Sequence, residues 1–273
     1  ASADVAARVV AQAAGLGCDP VRSAWVAVGR TGGPEAAART HVGAVRELNE
    51  DTWVTVGEPL VLAAVADGMG GHEAGEVASA AAVELLERRA PEVLAPGSPH
   101  TLEQLAALVH EADAAVIEAG HARSGTTLTL LACLDVERSR WAIANVGDSR
   151  VYRRPADAPV LQQVTVDHSA VQLLVDAGRL TADEARVHPR RNVITRALGS
   201  LEPLTVDVAE VDAASGDTFV LCSDGLTGEL TDEEIRALLD DAADLEEAAE
   251  QLVHAALWRG GRDNITVVLV RIP

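Results

Sequence analysis

Residues 61–71 read VLAAVADGMGG, an apolar run that stops abruptly at Asp67-Gly68. Residues 218–225, TFVLCSDG, repeat the design and stop at Asp224-Gly225. Short runs rich in Val and Leu and bounded by glycine fit interior strands. A third acidic pair, Asp263-Asn264, precedes the apolar run from Ile265 to Ile272. Carboxylates at the ends of buried strands are costly to bring together unless a cation joins them. The three aspartates are therefore expected to converge on a metal centre.

Composition narrows the class. A chain of 273 residues suits one large α/β domain or two small ones. Hydrophobic residues make up 48% and aromatics only 2%, so the core must be built from Ala, Val and Leu. A net charge of −20 argues against a nucleic-acid partner or an anionic membrane surface, since both require basic patches. The sequence contains no lysine, which argues against a P-loop NTPase or a pyridoxal-phosphate enzyme. Cys18, Cys133 and Cys222 are too far apart for a CxxC metal site, and free thiols in the cytoplasm are expected. No apolar run approaches the ~18 residues that span a membrane.

Residues 1–40 read as an N-terminal extension, with helical periodicity over 2–14, a strand over 23–28 and a turn at 31–34. The segment 41–55, HVGAVRELNEDTWVT, carries Arg46, Asn49, Glu50 and Asp51. Arg46 offers a planar, permanently charged fork suited to a phosphate. Glu50 and Asp51 offer further carboxylates. The turn Asp67-Gly-Met-Gly-Gly-His72 opens into a helix expected over 73–89, but Glu73 stands where a dinucleotide-binding loop needs glycine. Its glycines let the backbone approach closely, and the Gly68 carbonyl can serve as a ligand. Residues 90–99 read as an exposed loop and 101–120 as a second helix capped by Thr101. Residues 124–135 and 141–153 read as a hairpin. It is interrupted by Gly147-Asp148-Ser149-Arg150, either a bulge with a local Asp–Arg pair or a further carboxylate facing the site. Residues 167–199 break the strand pattern with two short helices, 169–177 and 181–187, and a run bearing Arg190, Arg191 and Arg196. Thr231 starts a capping box, and helical periodicity continues to Trp258 with a break near 240–244.

The candidate ligands are Asp67, Asp224, Asp263 and the Gly68 carbonyl, with Glu50, Asp51 and Asp148 around them. All are hard oxygen donors, which suits Mg²⁺ or Mn²⁺ rather than Zn²⁺ or copper. Two such ions about 4 Å apart can activate water and polarise a phosphate. Phosphoryl transfer is catalysed mainly by positioning and charge neutralisation, so no serine or cysteine nucleophile is required.

Seven stretches, in order, resemble the PPM/PP2C family of metal-dependent protein Ser/Thr phosphatases in its bacterial form. They are VRELNED (45–51), VADGMGGHEAG (65–75), SGTTLT (124–129), NVGDSRVYR (145–153), HPRRNVITRALG (188–199), CSDGLT (222–227) and GRDNITVVLV (261–270). The resemblance covers roughly residues 41–273. It implies an α+β fold, a four-layer α/β/β/α sandwich of two antiparallel sheets flanked by helix pairs, with a variable flap at about 167–195. It implies that Asp67 bridges two ions, with Gly68 on one and Asp224 and Asp263 on the other. Glu50 and Asp51 would hold metal-bound waters, Arg46 would hold the substrate phosphate, and Asp148 with Asp224 would form a third, weaker metal site. The implied partners are phosphorylated proteins and a bacterial Ser/Thr kinase whose action is reversed. A catalytically silent phosphoprotein-binding module is the rival reading, against which the retained aspartates argue. There is one departure. Animal members carry a histidine directly after the first Asp-Gly, proposed as the leaving-group acid, and here that position is Met69.

Overall fold

The computed structural model describes residues 33–70, 74–95, 100–120, 124–135 and 140–273, together with the backbone of 23–28. The helix expected over 2–14, the start of the 31–34 turn and His72 lie outside the described residues. Both Asp-Gly runs form strands: β4 (Leu62–Met69) and β11 (Thr218–Cys222). The run behind Asp263-Asn264 forms β12 (Ile265–Arg271). With β1 (Ser23–Val28), β2 (Glu35–His41), β8 (Arg150–Arg154) and β9 (Gln162–Gln163), two of these build one sheet, in the order β1-β2-β12-β11-β8-β9. The other sheet runs β10-β7-β6-β4-β3, with β3 at Asp51–Val56, β6 at Leu128–Cys133, β7 at Trp141–Val146 and β10 at Asp207–Val211. A two-residue strand, β5 (Gly125–Thr126), pairs with the end of β4. Every pairing is antiparallel. β2 pairs along β12 from Glu35↔Arg271 to His41↔Ile265, so the sheet takes in residues 35–40, which the sequence assigns to the extension. β2 reads EAAARTH, and its alanines carry too little apolar signal to mark a strand that is in fact buried on both faces.

Helices cover both outer faces. α1 (Ala74–Val93) and α2 (Leu102–Gly120) lie on the second sheet, and α6 (Asp232–Asp241) and α7 (Leu245–Arg259) lie on the first. Three apolar layers result, and the alternation along each strand assigns them. Leu62, Ala64 and Ala66 of β4 face α1 and α2, while Ala63 and Val65 face the other sheet. Phe219 and Leu221 of β11 enter the inter-sheet layer, while Val220 and Cys222 pack under α6 and α7. Away from the exposed edge strands β9 and β10, both faces of the sheets are buried, so the central strands read as continuous apolar runs. The four-layer α/β/β/α sandwich is thus observed. α1 continues through Pro91 to Val93, beyond the expected end at Arg89. A proline in the last turn removes one helical N–H, and burial of Ala90 and Leu94 holds that turn in place.

Residues 167–195, the segment expected as a flap, carry α3 (Ala170–Asp176) and α4 (Ala182–Arg186). Its base is closed by Thr195 N–H donating to His168 O at 2.7 Å and Ala170 N–H donating to Val193 O at 2.7 Å. Thr181 and Thr231 both form the reciprocal capping box, each with the glutamate three residues on.

Candidate metal centre

The strand ends place the acidic residues together. Asp51 opens β3 and Asp67 lies near the end of β4, and the two are direct cross-strand partners. Asp224 opens a one-turn helix, α5 (Asp224–Thr227), at the end of β11. Its N-cap residue, Ser223, makes no capping bond. The Ser223 hydroxyl donates instead to Asp51 Oδ2 at 2.7 Å and accepts from Thr266 N–H at 3.0 Å. Asp263 accepts from Asn264 N–H at Oδ1 (2.9 Å) and from Arg46 Nη2 at Oδ2 (2.8 Å). Arg46 is half-exposed and lies in the loop before β3, so in this structure its guanidinium is held by a carboxylate of the centre.

Asn264 and Ser223 are two positioning residues that motif reading passes over. Buried Asn264 donates from Nδ2 to Val42 O and Leu48 O, both at 2.9 Å, and its Oδ1 accepts from Glu50 N–H at 2.8 Å. One amide thus fastens the Arg46 loop to the strand that follows Asp263. The only hint in the sequence is the position of each polar residue beside an aspartate in SDG and RDN. Backbone crowding explains the glycines. A Cβ on Gly68 would sit 2.2 Å from Gly75 O and 2.6 Å from Glu50 O. A Cβ on Gly225 would sit 1.9 Å from Asn264 O. Both distances are far inside van der Waals contact.

Burial and mutual repulsion dominate the electrostatics. The Asp67 carboxyl is pushed well above its ordinary range by burial, then by Asp51, Asp224, Asp148 and Asp263. Burial raises Asp51 to about 7 against the opposing hydrogen bonds of Ser223 and Thr266, with Asp224 and Asp263 adding to the rise. Burial and then Asp224 raise Asp148 to about 8. Burial and then Asp263 raise Asp224 to about 6. Asp148 does not pair with its neighbour Arg150. Arg150 instead grips Asp167 through Nε and Nη2, at 2.8 and 2.7 Å. Asp148 and Asp224 line a cavity of about 440 Å³ that runs under the flap to Arg191 and Asp232.

These residues fit divalent cations. Glu50 Oε1 and Asp51 Oδ1 are buried without a hydrogen-bond partner, an arrangement that costs stability unless something positive meets them. Among the described residues, no three His, Cys, Asp or Glu side chains enclose an ion by themselves. Mg²⁺-like ions keep several waters and take oxygen ligands rather than a closed all-protein cage, so an open, all-oxygen donor set suits them.

Comparison with known proteins places the chain. Residues 39–258 match the family described as protein phosphatase 2C. The serine/threonine phosphatase stp of Listeria innocua is 38% identical over 243 residues, covering 86% of this chain and 94% of that protein. The serine/threonine protein phosphatase PstP of Mycobacterium tuberculosis is 40% identical over 244 residues, which is 86% of this chain and 44% of that protein. A crystal structure of the catalytic domain of PstP in complex with two manganese ions superposes with a TM-score of 0.74. It is 37% identical, and the match covers 88% of this chain and 98% of that one. The chain belongs to the protein phosphatase 2C family. It is a divalent-metal-dependent protein serine/threonine phosphatase with the sandwich fold of that family. Among the described residues, no helix is long and apolar enough to cross a membrane.

Proposed function

We propose that the acidic centre hydrolyses phosphoserine and phosphothreonine in proteins and that its residues divide the work as follows. Asp67, the Gly68 carbonyl, Asp224 and Asp263 hold two divalent cations, Mn²⁺ or Mg²⁺, and Asp148 with Asp224 holds a third, weaker one. The single observation that supports this most strongly is the crowd of buried aspartates whose carboxyls repel one another, with partnerless oxygens beside them. Bound cations neutralise phosphoryl oxygens and acidify water near pH 7. Glu50 and Asp51, fixed by Asn264 and Ser223, orient the attacking water. Arg46 exchanges its hold on Asp263 for the substrate phosphate, to which its fork is geometrically matched. Met69 offers no proton, so the leaving serine or threonine oxygen draws its proton from water rather than from the side chain after Asp67-Gly68.

The chain opposes a Ser/Thr kinase, and buried Cys222, which forms no disulfide, supports placing it in the cytoplasm. The test is hydrolysis of a phosphothreonine peptide by variants of the centre. Asp263→Asn is expected to lose turnover while keeping the melting transition. Normal turnover in that variant sinks the ligand assignment.

A further inference from the structure

His168 stands at the first turn of the flap with its ring buried, 6% exposed. Its Nδ1 lies 3.1 Å from the backbone N–H of Gly147. An amide N–H can only donate, so Nδ1 carries the lone pair and the neutral ring carries its proton on Nε2. That proton is donated to Asp207 Oδ2 at 3.0 Å. Arg196 Nη1 also comes within 3.0 Å of Nε2, but a protonated Nε2 cannot accept. The real acceptor is Asp207 Oδ1, at 2.7 Å. The main chain doubles the link, with His168 N–H donating to Gly147 O at 2.9 Å. Gly147 has φ +108°, a conformation that L side chains rarely adopt, and Asp148 follows it directly. One imidazole at the start of the flap therefore joins β10 to the turn that aims Asp148, while the main chain of His168 ties the end of the flap to its start.

We propose that His168 is a positioning residue: its Nδ1 holds the Gly147 turn so that Asp148 faces Asp224, and this couples placement of the flap to divalent-cation binding at Asp148. The inference rests on the reading that Asp148 belongs to the metal centre. Orientation of a ligand by a hydrogen-bonded neighbour changes metal affinity by ~10–100-fold. The coupling is reciprocal: a flap held in place favours the cation, and the cation favours that flap position.

The test uses two side chains that each mimic one ring nitrogen. Asparagine places an acceptor near the depth of Nδ1, and glutamine places its amide near Nε2. Chelator-stripped protein is titrated calorimetrically with Mn²⁺, with melting curves recorded to check folding. In His168→Gln the weakest binding event should shift at least ~10-fold to higher Mn²⁺ concentration, and in His168→Asn it should stay within ~3-fold of wild type. Equal shifts in the two variants, or no shift in His168→Gln, overturn the proposal. Should His168→Gln not fold, Asp207→Ala serves in its place, because half-exposed Asp207 fixes the tautomer from outside the core. A several-fold weakening of the same event is expected there, and an unchanged isotherm contradicts it. Asp148→Ala separates the two levels of the argument. If that variant leaves every Mn²⁺ event unchanged, the assignment of Asp148 itself falls.

Discussion

At the scale of single residues, the centre trades stability for function. Asp224 is buried among carboxylates that raise its pKa to about 6. Asp224→Asn removes one repelling charge and, on the proposed assignment, one metal ligand. Turnover should fall at least ~100-fold. The metal-free protein should become more stable by ~1 kcal/mol, or about 2–4 °C in Tm. Phosphopeptide kinetics beside a thermal melt in chelator read both effects, and near-normal kcat removes Asp224 from the ligand set. Arg46 carries the opposite charge and a different role. Arg46→Ala should raise KM by ~10-fold or more with kcat changed much less, the cost of one charged hydrogen bond to phosphate. An unchanged KM assigns Arg46 to holding Asp263 and nothing else. Asp67 and Asp224 were legible because each ends an apolar run with glycine behind it, and Asp263 because an apolar run follows it. Ser223 and Asn264 were not, because a buried serine or asparagine that serves a neighbouring carboxylate has no spacing or periodicity of its own.

At the scale of elements, strand ends do the positioning, and glycine lets them approach. Gly225 sits where β11 gives way to α5, with Asn264 O in the space a side chain would need. Gly225→Ala should cost ~1–3 kcal/mol, displace Asp224 and reduce kcat sharply. Measuring both quantities separates a strained turn from a tolerant one, since an unaltered Tm and kcat show that the turn can give. The hairpin of β6 and β7, the capping box at Thr231 and both flap helices were readable from local patterns. The alanine-rich β2 was not, because its burial comes from pairing with β12 more than two hundred residues away. The passage of α1 through Pro91 was masked for a related reason: packing beneath the helix outweighs the local break.

At the scale of the whole molecule, the acidic centre links stability to pH and to metal. In the folded protein the carboxyls of Asp51, Asp148 and Asp224 sit at about 7, 8 and 6, above the unfolded value of about 3.9. The folded state therefore binds more protons than the unfolded chain. Its advantage is complete below about pH 4 and drains as pH rises through 6 to 8. Asp217 opposes this at the acid end. Burial alone would raise its carboxyl, but the amides of Ala214 and Ala156 and the Arg153 guanidinium pull it below the usual range. Its contribution is present above about pH 4 and lost below. Between pH 5 and 8 the Tm of chelated protein should fall, and the gain on adding Mn²⁺ should widen toward pH 8. A gain that narrows over that range contradicts the repulsive centre.

The most direct single measurement is hydrolysis of a phosphothreonine peptide before chelation, after chelation, and after Mn²⁺ or Mg²⁺ is returned. Activity should vanish with the chelator and come back with the ion. Activity that survives complete metal removal, or that no ion restores in a protein still folded, would contradict a divalent-metal centre built on Asp67, Asp224 and Asp263.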